Sequence, residues 1–202
     1  MPTILPAVLL ASLLAATTPA VDSNSTMDTE VSPPARPDLA ALIQCQGDME
    51  RFRALHAPVE DPLAAIALGW SPLPRTNPFM AEYTLLQPLT LFEQSVDRFL
   101  ISGGTVMAIL DGERVSPQVL ASKLALEVAL DEPYKFMAGR EVISRDRLDA
   151  ASGMTIIESA VLGVSTVSSH PGKVLAGCTY SLDLPEEEDV EAAPRSDGSL
   201  DA

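Results

Sequence analysis

The chain is short of the residues on which most active sites depend. Its 202 residues include only two histidines, two cysteines and one tryptophan, with aromatics at 4%. General acid–base chemistry at neutral pH most often uses histidine, so His56 and His170 are the only candidates of that kind. Two Cys and two His without ligand spacing exclude a Cys/His metal site. No Gly-x-Ser-x-Gly elbow occurs, and Gly103-Gly104 and Gly163 form no phosphate loop, so no cofactor is expected. Basic residues are also scarce, 13 against 28 acids for a net charge of −15, which makes nucleic acid a poor partner. No apolar run reaches the ~20 residues of a membrane-spanning helix, so the mature chain is expected to carry no transmembrane span.

What is present begins at the N-terminus. Met1 to Ala16 contains no charge, and the small-residue site Thr18-Pro19-Ala20 follows it. Residues 1–20 read as a signal peptide, although the n-region has no Lys or Arg and Pro6 interrupts the apolar run. With no Cys at the cleavage site, a lipid anchor is not expected, and the product is periplasmic or secreted. Arg exceeds Lys ten to three, the usage of a GC-rich bacterial genome. Residues 21–37, rich in Ser, Thr, Asp and Pro, read as a disordered linker. From Pro185 to the end stand seven acids and one base, a disordered acidic tail over 185–202. Residues 38–184 remain for a single α+β domain.

In an oxidising compartment Cys45 and Cys178 read as one disulfide bond. A helix over 38–56 puts Leu42, Cys45, Met49 and Phe52 on one stripe, and a strand over 173–184 puts Val174, Ala176, Cys178, Tyr180 and Leu182 on one side. The bond would therefore clamp the first helix onto the last strand.

Between these the chain reads as a tandem α-β-β-β repeat. Asp61-Pro62 and Ser116-Pro117 each open a helix, over 63–68 and 118–130, with a capping residue before a first-turn proline. Phe79-Met80-Ala81 parallels Phe136-Met137-Ala138; Thr90 to Val96 parallels Thr155 to Val161; Gly104 to Ala108 parallels Gly172 to Ala176. Strands are expected at 79–87, 89–101, 105–110, 134–144, 155–168 and 173–184. Turns are expected at Gly103-Gly104 and His170-Pro171-Gly172-Lys173. Ser71 to Pro78 is too proline-rich for regular structure. The fold class is α+β: an antiparallel sheet of about six strands with helices on one face, the other face partly open.

Few side chains stand out against this frame. Trp70, in a Pro-rich segment, and His170, in a turn, are the candidate binding residues. His56 ends the first helix as a cap. Ser168, Ser169, His170 and Asp183 do not make a nucleophilic trio, because adjacent residues on a strand point to opposite faces. Glu93 and Glu158 occupy equivalent places in the two copies, and Arg140, Arg145 and Arg147 stand near Glu141 and Asp146 for surface ion pairs.

Gly69-Trp70, the strand Phe79-Met80-Ala81-Glu82-Tyr83 and the segment from Ser169 to Tyr180 resemble those of uncharacterised exported proteins of gammaproteobacteria, a likeness spanning Asp38 to Leu184. It implies no known activity and no catalytic residues. The doubled helix-and-strands order is similar in architecture to β-lactamase-inhibitor proteins and small outer-membrane-assembly lipoproteins, an analogy of fold alone. The expectation is a non-enzymatic binding or accessory protein with a protein partner in the cell envelope, as an inhibitor or envelope-assembly factor. The rival expectation is a small hydrolase of cell-wall material with His170 and Glu158 as its acid–base pair.

Overall fold

The computed structural model of the chain describes residues 36–75 and 77–184. The expected leader at 1–20, the linker as far as residue 35 and the acidic tail at 185–202 lie outside the described residues. The core of the structure is one antiparallel sheet of eight strands, not six. In chain order they are β1 (Trp70–Pro72), β2 (Ala81–Leu91), β3 (Gln94–Ser102), β4 (Thr105–Asp111), β5 (Glu127–Glu132), β6 (Lys135–Leu148), β7 (Thr155–Ser165) and β8 (Lys173–Asp183). Their spatial order is β1-β2-β3-β4-β8-β7-β6-β5.

The two extra strands arise where proline and helix signals misled. Ser71-Pro72 pairs along β2 as a three-residue edge strand, a position where a missing proline N–H is tolerated. Pro88 does not end β2 either. It sits in a bulge between Thr84 and Leu89, and the hairpin closes later, at Phe92-Glu93, both with positive φ. The helix expected over 118–130 stops early: α5 (Pro117–Lys123) is closed by Leu124, Ala125 beyond it takes φ 52, and the chain then extends as β5. Ser116 caps α5 by accepting from the Val119 N–H, and Pro117 fills its first turn.

The helix expected over 38–56 is broken into α1 (Leu39–Ile43) and α2 (Met49–Arg53), followed by α3 (His56–Glu60) and α4 (Pro62–Ala67). Cys45 takes φ 57, and Asp48 starts a new helix by accepting from the Arg51 N–H. His56 thus opens α3 rather than ending a long helix. With helices of only five to seven residues, the molecule is largely sheet.

One large core joins Leu42, Ile43 and Phe52 of the helices, and Leu120 of α5, to one side of the strands, among them Val106, Ala108, Val174, Ala176 and Tyr180. The ring of Phe52 stacks on that of Tyr180 at 5.1 Å. The disulfide Cys45–Cys178 joins the turn after α1 to β8, with Cα atoms 5.1 Å apart. The alternate residues Leu100, Ile109 and Leu175 form a second, small cluster on the sheet's other face, and Val167 packs on it. So the loop between β7 and β8 folds back as a strap over part of that face.

The strand order reads the same from either edge, and the register follows it. At the centre Ala108 lies opposite Ala176. At one end of that ladder the Tyr180 N–H donates to the Gly104 carbonyl; at the other, Gly112 donates to Gly172. A twofold rotation through Ala108 and Ala176 exchanges these two bonds. The pairing of Phe99 with Ala108 and of Val164 with Ala176 carries β3 onto β7 in the same alignment that the sequence offers. The matching units are α4 with β1–β4 and α5 with β5–β8, one helix and four strands rather than three, with α1 to α3 preceding the first.

Candidate functional site

Glu158, on β7, is 2% exposed and lies on the face of the sheet that carries the large core. One carboxylate oxygen accepts the Met49 N–H at 2.9 Å, at the first turn of α2, and the other accepts from Arg145 at 3.0 and 3.2 Å. Every strong partner is satisfied by the fold, so this carboxylate works as a structural anchor between sheet and helix. Glu93, its sequence counterpart, is exposed in the β2–β3 turn. There a hydrogen bond from Lys123 at 2.9 Å, and that lysine's charge, hold its carboxyl below the usual range.

His170 lies on the opposite side, in the strap, and its side chain is only 9% exposed. Its Nε2 reaches Glu82 Oε1 on β2 at 3.2 Å, and Nδ1 faces the Ser169 hydroxyl at 3.0 Å. Glu82 accepts in turn from Arg98 of β3 at 2.9 Å. A neutral imidazole protonated at Nε2 satisfies both contacts, donating to Glu82 and accepting from Ser169. The ring thus clasps the strap onto β2. Glu82 and Arg98 carry no signal in the sequence beyond being the polar members of alternating strands. Asp183 is at the far end of β8, bonded to Ser181, and is no part of this cluster. His170 and Glu158 therefore stand on opposite faces and form no acid–base pair.

Trp70, a candidate binding residue in the sequence, is 5% exposed. Its ring packs edge-on to Phe99 at 5.1 Å and Tyr83 at 6.0 Å, because β1 draws the segment onto the sheet. It is a core residue. Burial also raises the phenols of Tyr83 and Tyr180, the latter to about 12, with its hydroxyl donating to the Leu42 carbonyl at 2.9 Å.

One long bonding surface is a sheet edge. β5 pairs with β6 only as far as Gly139, whereas β6 runs on to Leu148 against β7. Among the described residues, nothing pairs with the outer side of β6 from Arg140 to Leu148. A bulge at Val142 shifts the alternation, so that Arg140, Arg145 and Arg147 all share a face, opposite Leu162, Glu158 and Ile156. Without it Arg140 would point the other way. Arg145 and Arg147 turn to Glu158, at 3.0 and 3.9 Å, rather than to Glu141 or Asp146 as expected, yet stay about half exposed.

Among the described residues no group of acidic, His or Cys side chains is arranged to hold a metal ion, and no helix is long and apolar enough to cross a membrane. No family model matches the chain, and no curated protein or solved structure is significantly similar to it.

Proposed function

We propose that this is a non-enzymatic binding or accessory protein of the periplasm or exterior of a bacterium, which takes hold of a protein partner in the cell envelope through its sheet edge. The observation that carries the reading is the unpaired stretch of β6, whose backbone N–H and C=O groups offer a template for an added strand. Long exposed edges are normally short, blocked or covered, so one held open on a disulfide-braced sheet suits recruitment of a partner. The leader-like N-terminus and the bonded cysteines support export. The register symmetry further supports a tandem duplication of a helix-and-strands unit.

Site-specific photocrosslinking in intact cells tests this. A probe at Ser144 should give a discrete adduct, absent with the probe at Leu63, which is also exposed, on α4. Adducts at both positions, or at neither, would reject binding through the edge.

A further inference from the structure

We infer that the free edge of β6 receives an extended acidic segment of its partner. This rests on the strand-addition reading above and names the chemistry of what is added. A strand laid beside β6 places alternate side chains about 5 Å from those of β6 on the same face. On the helix side that row is Arg140, Arg145 and Arg147, and among the described residues Arg140 has no ion-pair partner. An arginine row on a chain of net charge −15 is a local reversal of sign, and acids at every second position of the incoming strand would complement it. Glu158, already engaged by Met49 and Arg145, leaves Arg147 only a long contact and donors to spare.

A second copy of the chain is a poor occupant. Antiparallel pairing of two such edges with like faces together, in the two registers of greatest overlap, sets Arg140 opposite Arg147 or Arg145 opposite its own copy. Like charges directly opposite on a sheet repel. The arginine row therefore selects a different chain, and one of opposite sign.

The test uses the full-length oxidised chain and three fluorescent peptides of about ten residues, alternating Val or Thr with Glu, Gln or Lys. Fluorescence anisotropy gives affinity, and hydrogen exchange reports protection of the amides of residues 141–148. The Glu peptide should bind about tenfold or more tighter than the Gln peptide, with an advantage that shrinks as salt is added. It should protect the β6 edge, and the Lys peptide should not bind. The double variant Arg140→Glu, Arg147→Glu should reverse the preference between Glu and Lys peptides. Equal binding of Glu and Gln peptides, or an unchanged preference in the double variant, overturns the acidic partner. If the Gln peptide still protects residues 141–148, strand addition stands without the charge rule; if no peptide protects them, both fall.

Discussion

Glu158 shows how one buried side chain ties two elements whose sequence separation hides the contact. Its carboxylate meets the first N–H of α2 and the guanidinium of Arg145, so its loss strands donors on both. Glu158→Ala should cost about 2 kcal/mol in urea unfolding, and Glu158→Gln less, since an amide oxygen still accepts from Met49. Equal costs would mean that the charge on Glu158 carries the whole contribution and a neutral acceptor none. Tyr180 makes the matching case on β8. Its folded value of about 12 lies above the ordinary 10.0, so the fold prefers the protonated phenol. That contribution is complete below pH 10 and is lost as pH rises toward 12. Tyr180→Phe should be about 1 kcal/mol less stable at pH 8, from the lost hydrogen bond to Leu42, and the deficit should narrow between pH 10 and 12. Chemical denaturation at a series of pH values reads this directly.

At the scale of elements, close backbone approach governs the centre of the sheet. A Cβ on Gly177 would stand 2.6 Å from Met107 Cα and closer still to the Val106 carbonyl. Neither is a flexible side-chain end, so Gly177→Ala must push β4 and β8 apart where the two halves meet. A loss of about 3 kcal/mol or more is expected, seen as a lowered Tm, whereas Gly153→Ala in the open β6–β7 turn meets no atom and should cost only the ~1–2 kcal/mol of holding Ala at a positive φ. Most strands were legible because alternation and turn chemistry agree: β4 after Gly103-Gly104, and β8 with its buried Val174, Ala176, Cys178 and Tyr180. Asp61-Pro62 and Ser116-Pro117 did mark the starts of α4 and α5, but the first helices were not legible, because a stripe of Leu42, Cys45, Met49 and Phe52 persists across the break at Cys45 and suggests one rod. β5 was hidden because an edge strand needs no alternation, and Glu127 to Glu132 is exposed almost throughout. The arginine row was hidden for a different reason. Spacing alone puts Arg140 and Arg145 on opposite faces, and only the bulge at Val142 aligns them. Trp70 and His170 stood out by residue type, and type alone does not tell an exposed anchor from a packed ring or a clasp.

Over the whole molecule the disulfide is the one covalent link between the two ends of the domain. Cys45 precedes all eight strands and Cys178 lies in the last, 133 residues on. β8 belongs to the second half of the twofold arrangement, while the helix before Cys45 packs over the seam between the halves, touching both β4 and β8. The halves also meet through the β4–β8 ladder, the core beneath it, and the contacts Glu158–Met49, Lys123–Glu93 and His170–Glu82, and unfolding one exposes the other's central strand. Both are thus expected to unfold in a single transition while the bond is intact. Closing a loop of this length lowers the entropy of the unfolded chain by an amount worth up to ~5 kcal/mol, before any relaxation of the native state. The double variant Cys45→Ala, Cys178→Ala should accordingly lose about 3–5 kcal/mol in urea unfolding, and the oxidised protein should lose the same stability in reductant. Since both sulfurs are buried, reduction of the folded chain should be slow and should speed up at urea concentrations that open the sheet. Reduction as fast in water as in urea, with no shift in the unfolding midpoint, would show that the first helix is held by packing alone.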